Sequence, residues 1–277
     1  VKVVCTSGVF SRRSAAGVAA AGLVLTLTAC GTNSGSGGKV EGIGLVSAVD
    51  LTICTQLPYK PFVYKDGGKV VGFDADLLSL LAKDLGVEPK FLSIEWSQIT
   101  SGGAFAAKKC DIGTGAMTIT EERKRAIRIS DPYMDATQVL FVKKSSGYRS
   151  LADLTGKKVG VQSGTTGQKY ANSQAKKYGF TTVVFEDLAL LTNNVKSGRV
   201  DAGINDNGVL YNFTKNNPDT AVVDEFRTGE QYGFGADRKG ANGAKLLAKL
   251  NAVLAKAKSD GDYDRLYKKW FGVDRGE

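Results

Sequence analysis

The sequence predicts an α/β protein of two similar lobes, each a mostly parallel sheet flanked by helices, with a ligand cleft between them. Three observations carry this. Strand-like apolar runs alternate with segments of helical periodicity, the order expected of parallel strands joined by crossover helices. One pentad recurs: Lys109-Cys110-Asp111-Ile112-Gly113 and Arg199-Val200-Asp201-Ala202-Gly203 both read basic, apolar, Asp, apolar, Gly. Chemistry-bearing segments follow the strands, where open parallel sheets bind ligands.

The elements follow in order. Residues 51–54 read as a strand, and Pro58 and Pro61 then force an irregular loop. Residues 74–86 form a helix, with apolar positions 77, 78, 81 and 85 on one face, acids in the first turn and Gly86 closing it. A strand near 90–92 and a helix over 104–109 lead into the strand that opens at Cys110. The pattern repeats as strand 157–161, helix 165–178 ended by Gly179, strand 182–185, helix 187–196 and strand 200–204. Lobe one is expected over 45–135 plus 233–277 and lobe two over 139–228, with hinge strands near 135–138 and 226–232.

Composition narrows the chemistry. The 277 residues are 42% hydrophobic and 23% charged, which fits neither a disordered tail nor a membrane-embedded bundle. Histidine is absent, which excludes Ser-His-Asp triads, Cys-His dyads and His-ligated zinc. Cysteines 5, 30, 54 and 110 form no CxxC pair. No catalytic residue, cofactor or metal is expected. The net charge is +9, but the Lys pairs at 108–109, 143–144, 157–158, 176–177 and 268–269 are scattered. No nucleic-acid surface is expected from them.

The N-terminal region reads as an address. Lys2, Arg12 and Arg13 precede an apolar run over 15–25, and Leu27-Thr28-Ala29-Cys30-Gly31 resembles the bacterial lipobox. Residues 1–29 are therefore expected to be a lipoprotein signal peptide and Cys30 the acylated residue. The Gly/Ser-rich 30–44 would be a flexible tether at the extracytoplasmic face of the cell membrane. Cys54 and Cys110, both in strand-like runs, are expected to be unpaired buried thiols.

Three segments that follow strands converge chemically. After Gly115 comes Ala116-Met117-Thr118-Ile119-Thr120-Glu121-Glu122-Arg123; after Ile204 comes Asn205-Asp206; and Gln162-Ser163-Gly164-Thr165-Thr166-Gly167 turns into a helix N-terminus, whose free N–H groups favour an anion. One cation, one anion and one oxyanion cradle suit a small zwitterion.

Gly72-Phe73-Asp74-Ala75-Asp76-Leu77 resembles the signature of the family 3 extracellular solute-binding proteins, the polar amino-acid receptors of ABC importers. The resemblance runs from about Leu51 to Gly272 and includes the segments 118–123, 130–133 and 151–161. It implies a type II periplasmic-binding-protein-like fold and a monomer that binds a free amino acid and delivers it to a membrane permease by hinge closure. It further implies that Arg123, Thr166 and Gly167 hold the ligand carboxylate, and that Asp206, Thr118 and the Ala116 carbonyl hold its ammonium. Tyr59 and Trp96 would sandwich the ligand, whose side chain meets Gln56, Gly115 and Gln162. Receptors for basic amino acids place an acid where Gln56 stands, and Gly115 replaces a frequent Ser and leaves room. A neutral polar ligand such as glutamine is favoured, with Glu95 leaving a basic one open.

Two rival classes differ in what they need. An enzyme on this scaffold, such as a prephenate-type dehydratase, requires an uncompensated carboxylate aimed at a leaving group, for which only Glu95 is a candidate. A tethered sensing or adhesive module would lack a transporter partner.

Overall fold

A computed structural model describes residues 39–40 and 42–275. The expected signal peptide, Cys30 and most of the tether lie outside the described residues. Residues before 45 already belong to the fold, however. Strand β1 (Lys39–Val40) pairs antiparallel with β2 (Ile43–Gly44), and Ile43 is only 4% exposed. The end of the expected tether is thus part of the domain, because Ile43 and Leu45 bury apolar side chains in its core.

Two five-stranded sheets organise the rest. In lobe one the strands are β3 (Asp50–Thr55), β6 (Glu88–Ser93), β7 (Ile112–Gly113), β8 (Arg128–Ile129) and β14 (Gly235–Ala236), in the order β6-β3-β7-β14-β8. In lobe two they are β9 (Met134–Lys143), β10 (Lys158–Gln162), β11 (Thr181–Phe185), β12 (Ala202–Asp206) and β13 (Thr220–Tyr232), in the order β11-β10-β12-β9-β13. Each sheet has a parallel trio, β6-β3-β7 or β11-β10-β12, as the sequence order implies. Each is completed by two antiparallel strands, so both sheets are mixed. Those strands come from chain that returns from a distance, which local periodicity does not report. A small hairpin, β4 (Tyr64–Asp66) and β5 (Lys69–Val71), precedes the first helix.

Helices cover the sheets. Lobe one carries α1 (Phe73–Leu85), α2 (Trp96–Thr100), α3 (Gly103–Ala106), α4 (Glu121–Ala126), α8 (Asn242–Ser259) and α9 (Asp262–Phe271). Lobe two carries α5 (Thr166–Tyr178), α6 (Leu188–Ser197) and α7 (Asn207–Asn216). Left-handed glycines end α1, α5 and α6 at Gly86, Gly179 and Gly198. The helix expected over 104–109 is instead the short α3, which stops before Lys108 at φ 51°. No described helix is long and apolar enough to cross a membrane.

Cys54 and Cys110 are disulfide-bonded, with their Cα atoms 5.7 Å apart. The expectation of two free thiols fails because β3 and β7 are parallel neighbours, with Cys54 opposite Gly113 and Cys110 just before the strand.

The lobes are linked by the antiparallel pair β9/β13. Met134 opposes Tyr232 and Ala136 opposes Glu230, and the ladder is then interrupted before Gln138 meets Phe226. Tyr232 also bridges to Thr118 of lobe one.

Candidate ligand-binding cleft

The cleft is built from strand ends. Thr120 caps α4, its hydroxyl accepting the Arg123 N–H at 3.2 Å. The cap turns Arg123 inward to 7% exposure, while Glu121, Glu122, Lys124 and Arg125 stay exposed. Arg123 donates from Nη1 to the Thr118 carbonyl (2.8 Å) and from Nη2 to the Gly164 carbonyl of lobe two (3.2 Å). Its guanidinium lies 5.1 Å from the Trp96 ring centroid. Burial pushes its pKa down, opposed chiefly by the charge of Asp206.

Asp206 ends β12 and is 4% exposed. Tyr59 Oη donates to its Oδ2 (2.8 Å) and Gln138 Nε2 to its Oδ1 (2.6 Å). Burial raises its pKa against these bonds and against Arg123. The same burial, with Asp206 adding to it, holds the Tyr59 hydroxyl well above its usual range.

These two charges line one pocket between the lobes. From lobe one Gln56, Tyr59, Trp96, Gly115, Ala116, Thr118 and Arg123 line it, and from lobe two Gln162, Thr165, Thr166 and Asp206. Every site residue expected within the described residues is therefore a lining residue except Gly167. A Cβ at Gly167 would come within 2.7 Å of Gln138 Oε1 and 3.2 Å of the Ile204 carbonyl, so glycine lets α5 close onto β12. Thr166 and Gly167 belong to the first turn of α5, whose N–H groups have no intrahelical acceptor.

Four contributors were not read from the sequence. Thr165 lines the cavity and caps α5 by accepting the Gln168 N–H; a Thr before a helical run was the available signal. Asp74 is fully buried and accepts from Thr114 Oγ1 (2.7 Å), Gly115 N (3.2 Å), Ala116 N (2.9 Å) and Tyr133 Oη (2.6 Å). It braces a turn with Gly115 at φ 134° and Ala116 at φ 49°. Gly115 is thus required by backbone conformation, a stronger reason than the room expected of it. Gln138 and Glu230, on the linking strands, reach Asp206 and Thr166.

At one end the cavity is closed by amides. Gln162 Nε2 donates to Gln56 Oε1 (3.0 Å) and Asn205 Nδ2 to Gln162 Oε1 (3.0 Å), and Tyr59 Oη, whose proton goes to Asp206, lies 3.0 Å from Asn205 Oδ1. Gln56 Nε2 lies 3.5 Å from the exposed Glu95 carboxylate. The bonds of Gln162 with Gln56, of Tyr59 with Asp206 and of Arg123 with Gly164, and an ion pair between Glu122 and Lys169, join the lobes directly. A ligand is therefore one bridge among several. Among the described residues no cluster of three or more potential metal ligands occurs.

Residues 51–273 match the model of the bacterial extracellular solute-binding proteins, family 3. The chain belongs to that family. The family is one of solute-binding transport proteins that work outside the cytoplasm. The arginine-binding extracellular protein ArtP of Bacillus subtilis (strain 168) is 35% identical over 256 residues, covering 91% of this chain and 95% of ArtP. The ABC transporter glutamine-binding protein GlnH of the same strain is 34% identical over 264 residues, covering 92% and 95%. An ancestral arginine-binding protein solved with arginine is 40% identical with a TM-score of 0.74, covering 80% of this chain and 98% of that one. The two-lobed architecture is common to the family.

Proposed function

We propose that the protein is a lipid-anchored, monomeric receptor that binds one amino acid in the cleft and presents it to the permease of an ABC importer by closing about β9 and β13. The observation that carries this is the burial of Arg123 and Asp206, opposite in charge and on opposite lobes, in one small cavity. Arg offers a planar fork suited to a carboxylate. The ligand carboxylate meets that fork, the Thr166 hydroxyl and the Gly167 N–H. Its ammonium meets Asp206, the Thr118 hydroxyl and the Ala116 carbonyl, and the Tyr59 and Trp96 rings flank it. Each charge-assisted bond contributes about 1.5–3 kcal/mol.

The side chain meets Gln56, Gln162 and the space over Gly115. Two neutral amides favour a neutral polar ligand, glutamine first, the solute in the name of the relative GlnH. A basic ligand is the second reading: Glu95 stands behind Gln56, and ArtP is named for arginine. Acylation of Cys30, checked by the intact mass of the membrane-fraction protein, supplies the anchor.

Thermal unfolding against single amino acids tests the reading. A ligand at a hundred times its Kd should add about 2.7 kcal/mol. Arg123→Ala and Asp206→Ala should each abolish that gain in a protein that still folds. Binding that survives both substitutions overturns the assignment.

A further inference from the structure

Glu230 is a half-buried carboxylate on β13, the linking strand, and plays no part in the ligand set above. Its Oε2 accepts from Thr166 Oγ1 at 3.1 Å and from Gln138 Nε2 at 2.8 Å. Gln138 Nε2 in turn reaches Asp206 Oδ1 at 2.6 Å. A threonine hydroxyl has one proton to give. With Gln138 donating to both carboxylates, the Thr166 proton has two acceptors nearby, Glu230 and, at 3.2 Å, Thr118 Oγ1. An ionised Glu230 is the stronger acceptor of the two.

We propose that Glu230 is an affinity-tuning residue that competes with the ligand carboxylate for the Thr166 hydroxyl, so that its protonation switches that hydroxyl from the linking strand to the ligand. When neutral, Glu230 donates its own proton to Thr166 Oγ1, and the threonine proton turns toward the cleft. The inference rests on the reading that Thr166 meets the ligand carboxylate.

The surroundings favour the switch. Burial, reinforced by the charge of Asp206, pushes the Glu230 carboxyl up, against the bonds from Gln138 and Thr166. Asp206 on β12, Arg123 on α4 and the hydroxyls of Tyr59 and of Tyr232 on its own strand face the same region. On α5 the cation nearest to Thr166 in sequence, Lys169, is held by Glu122. The other acids of β9 and β13 are engaged elsewhere: Asp135 with Gln231, Asp224 with the Glu225 N–H, and Glu225 with Thr137 and Tyr211. With the acid's pKa raised, the wild type carries ionised Glu230 at high pH and loses that competitor as pH falls.

Calorimetric titration of the full chain with L-glutamine and L-arginine, on the wild type, Glu230→Gln and Arg123→Ala, tests this. Glutamine at position 230 mimics the neutral acid. Near about pH 8 Glu230→Gln should bind about tenfold tighter than the wild type, and that advantage should shrink toward about pH 5. A wild-type to variant ratio that is unchanged between the two pH values, or a variant that binds more weakly near pH 8, overturns the inference. If Arg123→Ala binds as well as the wild type, or the wild type binds no amino acid, the reading beneath it fails as well. Loss of binding in Arg123→Ala with an unresponsive Glu230→Gln sinks the switch alone.

Discussion

In lobe one, Asp111 gives its N–H to the Thr52 carbonyl and takes the Thr52 N–H on Oδ2; in lobe two, Asp201 does both to Lys158. This shared clasp is what the recurring pentad encodes, and counting from it aligns the lobes. Gln56 then matches Gln162, and the two meet across the cleft at 3.0 Å. Ala116 matches Asp206, so one strand end offers a neutral turn with its carboxylate, Asp74, held behind it, and the other offers the carboxylate itself. Cys54 matches Gly160 and Cys110 matches Val200. The disulfide of lobe one is therefore replaced in lobe two by a glycine beneath a valine. Repetition supplies the frame of the cleft, and departures at strand ends supply its polarity.

The largest test of that difference is covalent. The disulfide closes a loop with a sequence separation of 56, for which the chain-entropy model gives about 4 kcal/mol. Urea unfolding of Cys54→Ser/Cys110→Ser against the wild type should show a loss of that order, and reductant should reproduce it in the wild type alone. A loss under about 1 kcal/mol would mean that lobe one coheres as lobe two does, by packing.

How much of this was legible depended on distance along the chain. Helices α1 and α5 are readable because a glycine, Gly86 or Gly179, marks each end. The 104–109 helix reads too long because α3 stops at Ala106 and Lys108 turns to φ 51°, which no turn residue in the sequence announces. The cysteine pairing needed the β3/β7 register, which no local pattern contains. Asp206 ends a strand, Thr166 and Arg123 lie in segments that follow strands, and the three line one pocket, as that rule leads one to expect. Gln138 and Glu230 lie inside linking strands, where polar residues look like solvent-facing alternation. Asp74 looked like a first-turn acid favoured by the helix dipole, and only tertiary packing turns it into the brace of the 115–116 turn.

The clasps give the next test. Asp111 also accepts the Val46 N–H at 2.7 Å and is 9% exposed, while Asp201 accepts the Tyr148 hydroxyl at 3.2 Å and is half-buried. Removing a buried, twice-bonded carboxylate strands two backbone donors, so Asp111→Ala should cost about 3 kcal/mol and Asp201→Ala about 1. Equal losses in urea unfolding would show that burial does not separate the two clasps.

The smallest effect concerns the glycine that stands where lobe one has its half-cystine. A Cβ at Gly160 would lie 3.0 Å from Phe185 Cε2 and 3.2 Å from Val200 Cγ2, closer than side-chain carbons normally approach. Gly160 lies in strand β10 and is not among the positive-φ residues, so alanine suits its backbone and even restricts the unfolded chain, a gain of about 0.4–1 kcal/mol. Against it stands the overpacking, about 1–3 kcal/mol where neighbours cannot move. Phe185 is half-buried and can yield, but Val200 is 3% exposed and cannot. A net loss of about 1 kcal/mol is expected for Gly160→Ala, and Gly160→Ala/Val200→Ala should recover part of it. A double substitution that is worse by the full sum of its parts would show that the contact with Val200 does not hold this strand pair at its spacing.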